Sequence, residues 1–363
     1  MIVPRPRKVA IPRLLHVGED CLRQVGALLS AHDFDLGQVL VGSGPGPSRA
    51  FAEGVVAELR AAGAPVRHHS HLTGRLDQAA ALAGEIIEED VTVAVAGGGG
   101  RVIDTVKLAA ARTGVDFVSV PTTISNDGIS SPVASLVGKN GARASHAARM
   151  PAGIVMDVAA IVSAPARSLR AGVGDLVSNL TACMDWRLAD QAGEDRYDAF
   201  AAMIAESAAR PALELEDVSS AQSQTVLAHG LLLSGLAMAA AGTSRPCSGA
   251  EHLISHALDA RLTTAAGLHG EQVALGTLVA AAAHRSPLLD ALQQLFFRIG
   301  LPTCPEDLGL TRHQLAAAME GAPATRPERW TILSERCLRP GEAAELVAEA
   351  FPPAGSTVRQ LAT

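Results

Sequence analysis

The stretch VTVAVAGGGGRVIDTVK, residues 91–107, decides the fold class of this chain. Residues 91–96 are a run of valine, alanine and threonine, which is typical of a strand buried on both faces. Four glycines follow at once, and beyond them the apolar residues recur with helical spacing. A strand, a glycine turn and a helix in this order indicate an α/β unit whose strand belongs to a parallel sheet.

The segments on either side repeat this alternation. Besides 91–96, we predict strands over residues 38–43, 65–70, 116–122 and 152–157, and helices over 49–62, 76–88 and 101–112. Lys139-Asn140-Gly141 is predicted to form the turn of a hairpin between the last two strands. This spacing predicts a parallel sheet with helices on both faces.

The pattern changes after residue 160. Runs rich in alanine, leucine and methionine dominate residues 161–363, and no segment there is typical of a strand. Breaks between helices are predicted at Gly172–Gly174, Arg210-Pro211, Gly242–Pro246 and Leu301-Pro302. We therefore predict an α/β domain over residues 1–160 and an all-helical domain over residues 161–363, with a ligand in the crevice between them.

Composition indicates a globular protein of the cytoplasm. Of the 363 residues 48% are hydrophobic and 3% aromatic, so alanine, valine, leucine and isoleucine must build the core. The net charge of −7 has no basic block, which argues against binding to nucleic acid or to an anionic membrane. The five cysteines form no CxxC pair. No signal peptide is apparent, and the apolar stretch Leu231–Gly242 is too short to span a bilayer.

The glycine turn is the first candidate ligand site. Gly98, Gly99 and Gly100 would let the backbone approach a phosphate closely, and the helix N-terminus adds N–H donors. The turn is not GxGxxG; its position between strand and helix favours a phosphate site over a simple tight turn. Asp104 and Lys107 share one helical face, so they form either a surface ion pair or place Lys107 near a phosphate or ribose.

The second candidate site is PTTISNDG, residues 121–128. It follows the predicted strand 116–122, and α/β folds bind their ligands at the carboxyl ends of parallel strands. Its threonine, serine, asparagine and aspartate side chains could hydrogen-bond nicotinamide, ribose or substrate hydroxyls. Asn-Asp-Gly is equally typical of a simple turn, so the motif alone does not separate the two interpretations.

The third candidate site is a set of possible metal ligands, Asp175, His252, His256 and His269. His252 and His256 lie four residues apart and therefore share a helix face. Catalytic metal sites commonly have three protein ligands, and one carboxylate with two imidazoles satisfies that number. Spacing alone does not decide between a metal site and histidines that are simply packed and hydrogen-bonded.

Six strings carry a resemblance to a known family: AGGGGRVIDTVK, PTTISNDGISSPVASL, AGVGDLVSNLTACMDWRLA, SRPCSGAEHLISHALD, GLHGEQVALGTL and RPERWTIL. Together they resemble sn-glycerol-1-phosphate dehydrogenases, in the group that contains glycerol dehydrogenase, iron-type alcohol dehydrogenases and dehydroquinate synthase. The resemblance implies the dehydroquinate synthase-like fold. In that fold residues 1–160 form a Rossmann-like, NAD(P)-binding α/β domain, and residues 161–363 form an all-α domain that binds metal and substrate.

The resemblance also implies roles for individual residues. Asp175, His252 and His269 would bind a divalent metal, zinc in the first place, with nickel or iron as alternatives. His256 would relay a proton near the substrate, and Asp127 would hold a substrate hydroxyl; these two are the predicted catalytic residues. The predicted cofactor contacts are Gly98, Gly99, Gly100, Arg101, Asp104, Lys107, Thr122, Thr123, Ser125 and Ser131. The predicted substrate contacts are Asp127, Ser131 and Arg245, of which Arg245 would offer a bidentate fork to the phosphate.

The implied reaction is the reversible reduction of dihydroxyacetone phosphate to sn-glycerol 1-phosphate by NAD(P)H. The alternatives are a reductase of another small polyol or polyol phosphate, a sugar-phosphate cyclase like dehydroquinate synthase, and a non-catalytic dinucleotide sensor. Residues 41–49, VGSGPGPSR, lack the carboxylate that in this family usually holds the ribose hydroxyls, so NADP is allowed beside NAD. A homo-oligomer, a dimer or larger, is expected of such an enzyme.

Overall fold

The computed structural model describes residues 9–139, 141–262 and 266–352, except for the side chain of Pro340. Within these residues the chain forms two compact units. One contains the residues up to Pro165 together with Met238–Gly242, and the other contains Ala166–Ala237 and the residues from Thr243 onward. All strands of the described residues belong to the first unit, and the second is helical.

The first unit is built on a parallel sheet. The strands are β1 (Leu14–Gly18), β2 (Val39–Ser43), β3 (Val66–His69), β4 (Val93–Gly98), β5 (Asp116–Pro121), β6 (Val133–Val137), β7 (Arg143–Ala147) and β8 (Gly153–Asp157). The helices are α1 (Val25–Ala31), α2 (Arg49–Ala61), α3 (Leu76–Glu88), α4 (Gly100–Thr113) and α5 (Val158–Val162). Six strands form the sheet in the order β1-β8-β5-β4-β2-β3, and β6 pairs with β7.

Burial explains which strands are readable from the sequence. Every residue of β2, β4 and β8 is buried, so these strands are continuous apolar runs. The five predicted strands of the sheet are confirmed to within two residues at each end. β1, an edge strand in which only Leu14 is buried, is not among the predictions, whereas the other edge strand, β3, is.

The predicted hairpin is confirmed by the antiparallel pairing of β6 with β7. At its end the N–H of Gly138 donates to the carbonyl of Ala142 at 2.8 Å. Gly141 has a φ of 79°, a left-handed conformation that favours glycine. Asn140 of the predicted turn lies outside the described residues.

Within the described residues the second unit is helical. Its helices are α6 (Ala166–Val177), α7 (Asn179–Gln191), α8 (Ala199–Ala209), α9 (Ala221–Ala241), α10 (Ala250–Arg261), α11 (His269–Ala283), α12 (Leu289–Ile299), α13 (Arg312–Thr325), α14 (Ile332–Arg336) and α15 (Pro340–Ala350). The last four residues of α9 belong to the first unit. The breaks predicted at Arg210-Pro211, Gly242–Pro246 and Leu301-Pro302 separate α8 from α9, α9 from α10 and α12 from α13, and are confirmed.

The apolar stretch Leu231–Gly242 belongs to a longer helix than the sequence analysis expects. α9 has 21 residues and is long and apolar enough to cross a membrane. However, 61% of its most apolar window is buried within the structure, as in the core helix of a soluble protein. The prediction that this stretch is too short to span a bilayer is therefore wrong. The observation that speaks against a membrane span is the burial of α9.

The break predicted at Gly172–Gly174 is also wrong, since α6 runs through these residues without interruption. Gly174 serves a close contact between helices: a Cβ on it would overlap the carbonyl oxygen of Gly270 in α11. In the reverse direction, a Cβ on Gly270 would overlap the carbonyl oxygen of Ala171 in α6. The two helices therefore cross with their backbones in contact, which requires glycine on both sides.

α11 makes a second close crossing, with α10. A Cβ on Gly276 would lie 2.7 Å from the carbonyl oxygen of Glu251. Each crossing adjoins predicted metal ligands: Asp175 follows Gly174 on α6, His269 precedes Gly270 on α11, and His252 follows Glu251 on α10. The glycine contacts therefore fix the backbone positions from which the three ligand side chains extend.

The substitution Gly270→Ala tests the crossing of α6 with α11. The added methyl group has no space, so we expect the free energy of unfolding to fall by about 1–3 kcal/mol or more, measured by chemical denaturation. Gly84→Ala is the control: it lies in the helix α3, where an added Cβ meets nothing within 4 Å. That change should be neutral or stabilising by up to about 1 kcal/mol. Equal stability of the two variants would contradict the backbone contact.

Candidate metal centre and cofactor loop

Asp175, His252 and His269 lie together within the helical unit. Nε2 of His252 is 3.5 Å and Nε2 of His269 is 3.6 Å from Oδ1 of Asp175. All three ligand atoms lie within 4.8 Å of one another. A tetrahedral zinc ion with bonds of about 2.0–2.1 Å holds its ligand atoms roughly 3.4 Å apart. The observed separations therefore fit ligands arranged around one metal ion.

Glu251 orients His252. Its Oε1 lies 3.0 Å from Nδ1 of His252 and accepts the N–H of Gly249 at 2.5 Å, and its Oε2 accepts the hydroxyl of Thr181 at 3.1 Å. Burial raises the pKa of such a carboxyl, but the bonds and charge of its partners outweigh this, so the pKa of Glu251 is lowered. The carboxylate thus holds a proton on Nδ1, and Nε2 is left for a metal.

A second chain of hydrogen bonds orients His269. Oγ of Ser255 lies 3.2 Å from Nδ1 of His269 and donates its own proton to Oε1 of Gln272 at 2.7 Å. Nε2 of Gln272 in turn donates to Asp259 at 3.1 Å. Because the hydroxyl already donates to Gln272, it accepts from Nδ1–H of His269. Nε2 of His269, like that of His252, is left as the ligand atom.

His256 has a different environment although it is one helical turn beyond His252. Its ring lies 6.5 Å from that of His269, with 29° between the planes. Burial lowers the pKa of His256, and the charges of Arg326, His269, His252 and Arg329 lower it further, to about 2. The imidazole of His256 is therefore neutral at physiological pH.

For His252 the balance is opposite. Burial disfavours its charged form, but the carboxylates of Asp175 and Glu251 outweigh burial and raise the pKa of His252 to about 9. A positive charge is thus stabilised at this point of the cluster. A metal cation that displaces the proton would meet the same favourable electrostatic field.

In the first unit, the two loop motifs predicted from the sequence lie side by side. β4 ends at Gly98 and α4 begins at Gly100, so the first N–H groups of α4 open toward the carboxyl edge of the sheet. β5 is the neighbour of β4, and the N–H of Thr122 after it donates to the carbonyl of Gly98 at 3.0 Å. The PTTISNDG segment therefore begins beside the glycine turn.

A side chain at each of the three glycine positions of the turn would meet different neighbours. A Cβ on Gly98 would lie 3.0 Å from Cβ of Val102, so packing of α4 on the strand accounts for that position. A Cβ on Gly99 would lie 3.3 Å from Oγ1 of Thr123, and one on Gly100 would lie 3.6 Å from the amide of Asn126. Side chains at these two positions would fill the space between the loops, which fits a cradle for a pyrophosphate.

Thr122 carries the second indication of a ligand at this edge. Its side chain is buried, and Oγ1 has no hydrogen-bond partner among the described residues. A buried hydroxyl without a partner is costly, so a ligand or water is expected to bond it. Thr123, Ser125 and Asp127 are half-buried in the same segment, and Arg101 is exposed on the first turn of α4.

Asp104 and Lys107 form an ion pair that is buried, so of the two alternatives left by the sequence the surface pair is wrong. Nζ of Lys107 donates to Oδ1 of Asp104 at 3.0 Å, to the carbonyl of Gly128 at 2.6 Å and to that of Val133 at 2.7 Å. These bonds use all three N–H groups of the ammonium, so a phosphate contact would require one to break. Oδ2 of Asp104 accepts the N–H of Ser135 at 3.0 Å. The pair therefore fastens α4 to the hairpin and to the PTTISNDG segment.

Two predicted substrate contacts have partners inside the protein. The hydroxyl of Ser131 donates to the carbonyl of Val133 at 3.3 Å. Arg245 is buried, and its Nε donates to Asp195 and its Nη1 to the carbonyl of Trp330, both at 2.6 Å. Since each N–H pair of the Arg245 fork has one member taken, a bidentate phosphate contact from Arg245 would require one of these bonds to break.

Ser43 ends β2, where the family usually has a carboxylate. Its hydroxyl is buried and lies 2.8 Å from Nε2 of His68 on the neighbouring β3. A hydroxyl and an imidazole at this strand end would not repel a 2′-phosphate as a carboxylate would. NADP therefore stays among the expected cofactors.

Comparison with known proteins adds an independent observation. The family described as iron-containing alcohol dehydrogenase matches residues 16–165. The glycerol-1-phosphate dehydrogenase (NAD(P)+) of Cenarchaeum symbiosum is 36% identical over 347 residues, 93% of this chain and 94% of that protein. The enzyme of the same name from Pyrococcus furiosus is 41% identical over 272 residues, 73% of this chain and 77% of that protein. The chain belongs to the glycerol-1-phosphate dehydrogenase family.

Solved structures show the fold of this family member. A probable glycerol dehydrogenase from Sinorhizobium meliloti 1021 matches 95% of this chain and 98% of its own at 23% identity, with a TM-score of 0.76. Glycerol dehydrogenase from Schizosaccharomyces pombe matches 96% and 91% at 19% identity, with a TM-score of 0.78. The predicted fold, a parallel α/β sheet followed by helices, is confirmed, as is the prediction of an oxidoreductase of this family.

Several residues of the candidate sites are missing from the sequence predictions. Glu251, Ser255 and Gln272 hold the ligand histidines through their Nδ1 atoms. For Glu251 the sequence does contain a signal: this glutamate directly precedes the candidate ligand His252 in an apolar helix. Arg326 and Arg329 act electrostatically on His256 and lie in the string RPERWTIL, which also carries the family resemblance.

We expect Glu251→Gln to weaken zinc binding about 10–100-fold while the protein stays folded, because a neutral amide orients and polarises His252 less than a carboxylate. Competition with a coloured chelator measures the zinc affinity. The control is Glu349→Gln, at an exposed position of α15. Unchanged zinc affinity in Glu251→Gln would show that this carboxylate has no part in holding the metal.

Lys107→Met should lower the free energy of unfolding by about 3–5 kcal/mol, because the carboxylate of Asp104 is left buried without its cation. Arg75→Met breaks an exposed pair with Asp77 in the same unit and should have little effect. Denaturant titrations of both variants measure the difference. If Lys107→Met is as mild as the control, the buried pair does not fasten α4.

Proposed function

We propose that this chain is a metal-dependent enzyme that reduces dihydroxyacetone phosphate reversibly to sn-glycerol 1-phosphate with NADH or NADPH. The observation that carries the proposal is the cluster of Asp175, His252 and His269, whose ligand atoms are spaced as around one metal ion. The names of relatives that are 34–41% identical support the substrate and the cofactor.

The donor set supports a divalent metal. One carboxylate oxygen and two imidazole nitrogens suit zinc, nickel or iron, and we propose zinc in the first place. A bound metal would act as a Lewis acid on the carbonyl of the substrate. The protein's part is to present the ligands: Glu251 and Ser255 fix the protons of His252 and His269 on Nδ1, so both Nε2 atoms are unprotonated when a metal binds.

The loops of the first unit are proposed to hold the cofactor. The N–H groups at the start of α4 would bind the pyrophosphate, with Gly99 and Gly100 leaving room for it. Thr122, whose buried hydroxyl has no partner among the described residues, would bond the nicotinamide side together with Thr123. A bound nicotinamide supplies or accepts the hydride.

Asp127 and His256 are proposed to act on the substrate. Asp127 would accept a hydrogen bond from a substrate hydroxyl. His256 is neutral because its pKa is lowered to about 2, so it would move a proton by accepting at one ring nitrogen while the other donates. It would not act as an acid that is already protonated, as imidazolium, before the reaction.

The proposal also includes a cytoplasmic, homo-oligomeric enzyme that acts on a small phosphorylated molecule. The mostly buried helix α9 argues against a membrane span, and the net charge of −7 argues against binding to an anionic membrane. The expectation of an oligomer rests on the family resemblance, and sedimentation velocity of the purified protein measures its size.

The experiment that tests the reaction is oxidation of NADH and NADPH by zinc-loaded protein with dihydroxyacetone phosphate, followed by chiral analysis of the product. We expect sn-glycerol 1-phosphate as the only enantiomer. Formation of sn-glycerol 3-phosphate, or no turnover by protein that binds zinc and NAD(P)H, would reject the proposed reaction. In the second case another polyol, or a cyclase substrate, becomes the next to assay.

His252→Ala should abolish zinc retention and turnover together, because it removes one of three ligands and leaves Asp175 and Glu251 without their shared partner. Zinc content by mass spectrometry and NADH oxidation measure the two losses. His313→Ala, at an exposed position of the same unit, is the control and should retain both. A His252→Ala enzyme that is active and zinc-loaded would overturn the assignment.

A further inference from the structure

We propose that Arg326 and Arg329 form the binding site for the phosphate group of the substrate, next to His256. The inference rests on the proposed function, because it assumes that the substrate is a phosphate monoester. It replaces Arg245, the cation for which the sequence predicts this role, because the fork of Arg245 is occupied by Asp195 and Trp330.

The first argument is the position of the two arginines. α13 packs against α10, and Arg326 directly follows the last residue of α13. Arg329 lies three residues further on and turns back to the segment before α10: its Nη2 donates to the hydroxyl of Ser244 at 2.9 Å, and its Nη1 donates to the carbonyl of Ser248. The guanidinium of Arg329 is therefore held beside the start of α10, and the charges of both arginines act on His256 of that helix.

The second argument is the unsatisfied hydrogen-bonding capacity of Arg329. The residue is only 8% exposed, and its Nε is buried without a hydrogen-bond partner among the described residues. A buried donor of a charged group that has no partner is costly. A phosphate oxygen is a suitable acceptor, because charge-assisted bonds to guanidinium groups are strong.

The third argument is the balance of charge. Burial in the first place, and then the charges of Arg326 and Arg245, lower the pKa of Arg329 to about 10. Asp195 pairs with Arg245, and Glu251 is bonded to His252, whereas Glu328 is exposed. An anion bound beside Arg326 and Arg329 would relieve the repulsion between the cations.

The site gives the enzyme a way to select its substrate. A phosphate bound by the two arginines would place the rest of a three-carbon molecule near His256, whose ring adjoins that of the ligand His269. A polyol without phosphate would lack this anchor. The arginines would therefore separate a polyol phosphate from the free polyol, a distinction that metal ligands alone do not make.

Arg326→Met is the decisive variant, because Arg329 also bonds Ser244 and Ser248 and its loss could disturb the fold. We expect the KM for dihydroxyacetone phosphate to rise about 10–100-fold with a smaller change in kcat, since a charge-assisted bond contributes about 1.5–3 kcal/mol. The kcat/KM for unphosphorylated dihydroxyacetone should fall far less than that for dihydroxyacetone phosphate, because the free substrate has no phosphate contact to lose and is affected only through the charge of Arg326 near His256. Arg326→Lys should fall between the wild type and Arg326→Met, because it keeps the charge and loses the fork.

Arg210→Met is the matched control, since Arg210 is an exposed arginine of the same unit paired with Glu206. It should leave both substrates unaffected. If Arg326→Met keeps the KM for dihydroxyacetone phosphate, or loses activity equally toward the phosphorylated and the free substrate, the phosphate site is not at Arg326 and the inference is overturned.

Binding of inorganic phosphate separates failure of this inference from failure of the proposed function. Isothermal titration of zinc-loaded wild type, with NADH present to fill the cofactor loop, should detect one phosphate per chain, and Arg326→Met should weaken it by the same factor as the KM. Suppose that the wild type turns over no dihydroxyacetone phosphate but that Arg326→Met still binds inorganic phosphate more weakly than the wild type. The proposed reaction is then rejected, and the phosphate site is supported. Equal phosphate affinity in the two proteins overturns the site, whatever the substrate is.

Discussion

The backbone contacts of α11 with α6 and α10 are the constraint on which the candidate metal centre depends. Gly174 and Gly270 let two helices touch without side chains between them, and Gly276 does the same against the backbone at Glu251. The ligands lie one residue from these contacts, so rigid helices and not loops set their positions. The site is therefore preorganised: the ligands are already held in place, so binding of a cation has little of their motion left to restrict.

Electrostatics divides the histidines of α10 into two kinds. His252 lies between the carboxylates of Asp175 and Glu251, which raise its pKa and favour positive charge there. His256, one turn along the same helix, is half-buried; its partial removal from water, and then the charges of Arg326 and Arg329, lower its pKa and keep it neutral. Opposite environments on one helix thus suit one imidazole to a metal and the other to neutral proton relay, as in enzymes that separate the pKa values of like groups.

Much of the fold is predictable because it is encoded locally. β2, β4 and β8 are apolar runs since both their faces are buried, and the candidate ligands are recognisable by their residue type and by the family strings. The failures come from contacts between distant parts of the chain. Gly174 resembles a helix breaker until Gly270 packs on it, and Lys107 resembles a surface residue until the carbonyls of Gly128 and Val133 cover it. No local pattern contains such partners.

The measurement that tests the central claim most directly is X-ray absorption at the zinc edge of the zinc-loaded protein, compared with anomalous diffraction from its crystals. A metal held where the two glycine crossings meet should show two imidazole nitrogens and one carboxylate oxygen at about 2.0–2.2 Å. The anomalous peak should lie between Asp175, His252 and His269. A shell with a single imidazole, or a peak elsewhere in the chain, would contradict the account.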